Sequence, residues 1–140
     1  MCGICGFVGP RNEQLLLRMR DLLKHRGPDE AGEYQDDLCS LGHRRLAIID
    51  LETGQQPMSN ERGNVWIVLN GEIFNHEDLR RELQAAGHQF RSQRSDTETV
   101  LHAYEEWEQD CAQRLRGQFG FAVWDASKQR LMLARDHFGI

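Results

Sequence analysis

The sequence predicts a layered α+β fold in which helices cover the faces of β-sheet. Three observations carry that expectation. The elements run strand, helix, several strands, two helices, then a hairpin. The strand-like segments are short and apolar, whereas the helical ones repeat their apolar residues at three- and four-residue spacing. At 140 residues the chain has the length of one domain.

Ile4 to Gly9 reads as a buried strand. Asn12 to His25 carries Leu15, Met19, Leu22 and Leu23 at helical spacing, with Asn12 placed to cap. Arg26-Gly27-Pro28-Asp29 ends that helix. Glu33 to Gly42 is a weak strand with a turn at Asp36-Asp37, and Arg45 to Asp50 is a strand leading into a loop over Glu52 to Asn60. Val65 to Leu69 is a strong strand closed by Asn70-Gly71. Asn75 to Ala86 is a helix with Asn75 as cap, Leu79 and Leu83 on one face and Gly87 just past its end. Thr97 to Glu108 is a second helix, with Val100, Leu101, Tyr104 and Trp107 on one side. Phe119 to Trp124 and Arg130 to Ala134 flank Asp125-Ala126-Ser127-Lys128 as a hairpin. Trp66, Trp107 and Trp124 fall in regular elements and are expected as core or half-buried anchors.

Composition narrows the function classes. Hydrophobic residues make up 39% and charged residues 28%, a globular balance. The net charge of −5 disfavours a nucleic-acid partner. No apolar run approaches the roughly 18 residues of a membrane helix, and no basic-then-apolar leader opens the chain. Four cysteines without a secretory leader point to reduced thiols and a cytoplasmic location.

Cys2 follows the initiator Met1. Removal of Met1 would leave Cys2 holding a thiol and a free α-amine together. Such an amine titrates near ~7.7–8.0 and a free thiol near ~8.5, so one can serve as base for the other at neutral pH. That is the activation logic of an N-terminal nucleophile. Position alone does not establish it, since many chains carry a dispensable residue there. Cys2, Cys5, Cys39 and His43 also have the composition of a Cys₃His zinc module. Against that, Cys5 and Cys39 lie in apolar strand-like segments, where a free Cys is commonly a small core residue. A redox pair at Cys2 and Cys5 is weaker, because the motif runs into a strand and not a helix.

Seven segments then occur in order: M-C-G-I-C-G-F at the start, H-R-G-P-D at 25–29, G-H-R-R-L-A-I-I-D at 42–50, Q-P-M at 56–58, N-G-E-I-F-N-H at 70–76, S-D-T-E at 95–98 and A-R-D-H-F-G-I at 134–140. Together they resemble, across the whole chain, the glutaminase domain of glutamine-hydrolysing asparagine synthetases. These are class II glutamine amidotransferases of the N-terminal-nucleophile hydrolase type. The resemblance implies a four-layer α/β/β/α sandwich. It implies hydrolysis of L-glutamine to glutamate and ammonia through a Cys2 thioester.

The same resemblance distributes the roles. Cys2 would be the nucleophile, with its α-amine as base and later acid. Arg45 would grip the substrate carboxylate, where a guanidinium fork suits the geometry. The main chain of Leu46, Ala47, Ile48 and Ile49 would line the same pocket. Asn70 and Gly71 would form the oxyanion hole, with Glu72 in the same segment. Asp96 would pair with the substrate ammonium. By spacing alone these residues also read more blandly: Arg45 as a strand-edge cation, Asn70-Gly71 as a turn, Asp96 as a helix-start acid. Arg26 is expected to order the loop near the nucleophile. His25, His43, His76 and His137 share no ligand spacing, and no metal ligand is assigned.

In the family the run R-D-H-F-G-I continues into further strands and then a synthetase domain. Residues 1–140 are therefore expected to be a partial amidotransferase domain with the synthetase domain absent and the sandwich incomplete at its C-terminal end. No phosphate-cradling Gly-rich loop occurs, so adenylation of aspartate is not expected on this chain. No cofactor is expected for this domain, and ATP and Mg are expected only for the absent synthetase domain. Three alternatives stay open: a domain serving another ammonia acceptor, the zinc module, and an inactive domain that acts by association. A homo-oligomer is likewise left open.

Overall fold

The computed structural model describes residues 1–47 and 54–139. Two antiparallel sheets face one another. The first has the order β1 (Gly3–Val8), β3 (Cys39–Arg45), β2 (Glu30–Gln35). The second has the order β4 (Met58–Ser59), β5 (Val65–Ile73), β6 (Gly117–Asp125), β7 (Arg130–Arg135). Helix α1 (Glu13–Leu22) covers the first sheet; its one buried side chain, Leu16, reaches the backbone at Gly42. Helices α2 (His76–Ala85) and α3 (Asp96–Trp107) cover the second, followed by a 3₁₀ turn and the short α4 (Cys111–Arg114). The layers are therefore α/β/β/α, as expected. Among the described residues no helix is long and apolar enough to cross a membrane.

Pleat parity builds the two cores. Successive side chains of a strand point to opposite faces. On β5 and β6, Ile67, Leu69, Ile73, Phe121 and Val123 turn outward to Leu79, Leu83, Val100, Leu101 and Tyr104 of the helices. The intervening Val68, Ala122 and Trp124 turn inward to Cys39 and Leu41 of β3. Tyr34 stacks on Trp66 across the sheets at 4.3 Å, and the Trp124 indole donates to Asp36 at 2.6 Å. The Trp expectation holds: Trp124 is buried, and Trp66 and Trp107 are half-buried against the two clusters.

Several boundaries differ from the sequence reading. Helix α1 stops at Leu22, because the turn after it closes with i→i−3 bonds from Leu23, Lys24 and Arg26. The weak strand over Glu33 to Gly42 is two strands, β2 and β3, joined where Asp36 Oδ1 accepts the Leu38 and Cys39 N–H groups. Arg45 ends β3 and does not begin a new strand: Leu46 and Ala47 are irregular, and Ile48, Ile49 and Asp50 lie outside the described residues. Asn70-Gly71 is not a turn. Strand β5 continues to Ile73, paired Asn70 with Gly120 and Gly71 with Phe119. Gly71 has φ 138°, and a Cβ there would meet the Gln118 carbonyl oxygen at 1.9 Å, so only glycine fits. Asn75 precedes α2 but does not cap it with its side chain. Its amide instead clamps the segment before β6, donating to the Arg114 carbonyl and accepting from Arg116 N–H, both at 2.9 Å.

Candidate active site

Cys2, Arg45 and Asp96 are delivered at the ends of regular elements, whereas Asn70, Gly71 and Glu72 lie within β5. β1 begins at Gly3, which places Cys2 immediately before the sheet, beside the C-terminal end of β3. Leu46, just past that end, donates its N–H to Cys2 Sγ at 3.4 Å. Arg26 holds the other side of Cys2, its Nε donating to the Cys2 carbonyl at 3.0 Å. That contact places Arg26, expected to order the loop near the nucleophile, directly against Cys2.

Arg45 is the last residue of β3 and is buried, with Nη1 3.0 Å from Glu30 Oε2 on the neighbouring β2. Asp96 opens α3, whose N-cap Ser95 accepts the Glu98 N–H at 3.2 Å. Its carboxylate accepts the Ile73 N–H of β5 at 3.0 Å, so it ties helix to sheet as well as facing the cleft. Burial pushes the Asp96 carboxyl above its ordinary range, while the Ile73 N–H and nearby His76 pull the other way.

These pieces meet in one cleft of about 500 Å³, lined by Cys2, Arg45, Leu46, Gly71, Glu72 and Asp96 among others. Asn70 flanks it on the inward-turned parity of β5; its Oδ1 is buried and has no hydrogen-bond partner among the described residues. Ala47 is held aside, its N–H donating to Asp29 at 2.8 Å, and does not line the cleft. Ile48 and Ile49 lie outside the described residues.

Sequence reasoning assigned no role to Gln56, His76 or Glu30. Gln56 lines the cleft and bridges its walls: Oε1 accepts the Leu69 N–H at 2.6 Å and Nε2 donates to Thr97 Oγ1 at 3.2 Å. Its place in the Q-P-M segment was the available signal. Glu30 could not be found from spacing, because it meets Arg45 only through the β2–β3 register.

The zinc module does not assemble. Cys5 pairs with Gly42 on the face turned to α1, whereas Cys39 and His43 share the opposite face of the sheet. A one-residue difference in parity thus puts the sheet between the proposed ligands. A second hollow, of about 770 Å³, surrounds Glu108 and Arg114. There Arg130 meets Glu108 at 2.6 Å and Arg114 meets Glu82 at 2.9 Å, and no cysteine lines it.

The cleft can therefore offer a thiol beside a cation and, on the facing wall, an anion. That arrangement matches an α-amino acid zwitterion with a reactive side chain. Residues 1–140 match the family described as glutamine amidotransferase domain. The whole chain is 46% identical to asparagine synthetase [glutamine-hydrolyzing] 3 of Bacillus subtilis (strain 168), covering 24% of that protein. It is 41% identical over its whole length to asparagine synthetase [glutamine-hydrolyzing] 1 of Arabidopsis thaliana, again covering 24%. The chain thus spans about a quarter of the length of these relatives. Among solved structures, glutamine phosphoribosylpyrophosphate amidotransferase from B. subtilis, complexed with ADP and GMP, shares the fold. The TM-score is 0.76 at 21% identity, covering 99% of this chain and 38% of that one.

Proposed function

The chain belongs to the glutamine amidotransferase domain family, and on that premise we propose that Cys2 cleaves the side-chain amide of L-glutamine and that the ammonia serves asparagine synthesis. One observation carries the reading. Cys2 and Arg45, from the first sheet, share a single cleft with Asp96, from the helix layer beyond the second.

Each group then has a task. Arg45 takes the substrate carboxylate and Asp96 its ammonium, which fixes the side-chain amide over Cys2. Once Met1 is removed, the Cys2 amine accepts the thiol proton as sulfur attacks the amide carbon. The oxyanion is met by the Asn70 side-chain amide and the Gly71 N–H; losing one such donor costs roughly 3 kcal/mol of transition-state stabilisation. The C–N bond breaks, the protonated amine gives its proton to the departing nitrogen, and ammonia leaves. Water, deprotonated by the same amine, then cleaves the thioester and releases glutamate.

The asparagine assignment rests on relatives 37% to 46% identical that are named glutamine-hydrolysing asparagine synthetases. The acceptor chemistry belongs to the rest of such proteins, including the ATP and Mg it requires. Incubating the 140-residue chain with labelled glutamine, ATP, Mg and aspartate tests both halves of the reading. Glutamate and ammonia are expected, without asparagine, from a species whose mass lacks Met1. Cys2→Ala should abolish glutamate release and Cys5→Ser should largely spare it. Hydrolysis surviving in Cys2→Ala, or by a species retaining Met1, would overturn the mechanism.

A further inference from the structure

Away from the cleft, the turn after α2 and the second half of α3 bring two imidazoles and a carboxylate together. His88 follows Gly87, and His102 and Glu105 share a helix face at i, i+3. One ligand atom from each lies within 4.8 Å of the others, the only such group among the described residues. We propose that His88, His102 and Glu105 bind one divalent transition-metal ion of the zinc type.

The orientation of each side chain supports this. Asn60 Nδ2 donates to Glu105 Oε1 at 2.7 Å, which leaves Oε2 turned to the imidazoles. That oxygen is 2.7 Å from His102 Nδ1 and 3.9 Å from His88 Nδ1. The two distances bracket the roughly 3.4 Å edge of a tetrahedral site with bonds of about 2.1 Å. The far nitrogens face carboxylates, as the outer partners of metal-bound histidines do. His88 Nε2 lies 2.9 Å from Glu106. His102 Nε2 is buried without a hydrogen-bond partner, with Glu61 at 3.6 Å and Glu98 at 3.8 Å. Four carboxylates therefore surround two histidines, and Arg91 approaches one of them, Glu98, only to 4.0 Å.

The two imidazole rings lie side by side, their centroids 5.1 Å apart. One dication held between them would offset the surrounding carboxylates. His102 is six residues along α3 from Asp96, so about 9 Å of rise separates them. The ion would pin the α2–α3 turn to the helix that presents Asp96.

Chelator-treated protein titrated with cobalt(II), by equilibrium dialysis and visible absorption, tests the site. One ion per chain is expected, without a thiolate-to-cobalt band, together with a rise in Tm that chelator reverses. His88→Ala should lower cobalt affinity at least tenfold. Glu106→Gln, which leaves all three ligands in place, should weaken it by about tenfold. The Tm of each metal-free variant shows that it is folded, and if His88→Ala fails to fold, Glu106→Gln decides. Absence of binding at millimolar cobalt, binding with a thiolate band, or undiminished affinity in the folded variants would overturn the proposal.

Discussion

At the scale of single residues, Asp96 and Asn70 should fail differently when replaced. Asp96 would meet an ammonium whose charge is unchanged by the reaction, so Asp96→Asn should raise KM for glutamine and leave kcat nearly intact. Asn70 would meet charge that appears only in the transition state, and Asn70→Ala should lower kcat by about 10²–10³-fold. Steady-state kinetics with the opposite split would reverse the roles. His43 offers a second residue-level test. Burial, with a smaller contribution from Arg45, holds its pKa down to about 4 against the Leu69 main chain and Glu30, which raise it. The unfolded chain therefore binds a proton that the folded chain refuses between pH 6.5 and 4. Stability is highest with respect to this group above pH 6.5 and falls as pH drops toward 4. In urea unfolding between pH 6.5 and 4.5, His43→Gln should show a shallower loss than the parent; equal slopes would remove His43 as the cause.

At the scale of elements, β5 is the one that surprises. The dipeptide Asn70-Gly71 has the composition of a turn, yet it lies inside a nine-residue strand. The reason is its partner: Gly71 and Gly117 let β5 and β6 approach closely at that end, where a Cβ on either would meet a carbonyl oxygen of the other strand at 1.9 or 2.1 Å. Gly71→Ala should therefore cost well over about 1 kcal/mol, through both its positive φ and the clash. Glutamine turnover should fall with it, since the same peptide lines the cleft. Thermal unfolding of a soluble Gly71→Ala with parental Tm would contradict the close approach.

At the scale of the whole molecule, β7 is the outer strand of its sheet among the described residues. It exposes Leu133 at 70%, and Phe138 just beyond it is exposed at 85%. An outer strand with apolar side chains in water is a template for pairing. The 140-residue chain should self-associate with rising concentration in sedimentation velocity, and Leu133→Lys should suppress it. A monomer at all accessible concentrations would show that this edge is already protected.

Fold class, element order and the candidate nucleophile Cys2 were legible in the residues, because periodicity and motif order are local properties of the chain. The apolar alternation of Val65 to Leu69 and the spacing of Val100, Leu101 and Tyr104 already encode which faces are buried. The resemblance nominated Arg45, Gly71 and Asp96, and tertiary structure brought them to one cleft with Cys2. Other features could be set only by pairing and parity. Strand register gave Arg45 its partner Glu30, and the pleat put Cys5 on the face opposite Cys39 and His43. The return of α3 against the α2 turn brought His88 to His102, fourteen positions apart with no motif between them. Spacing along a chain specifies contacts within an element; contacts between elements depend on register and packing, which the whole fold decides.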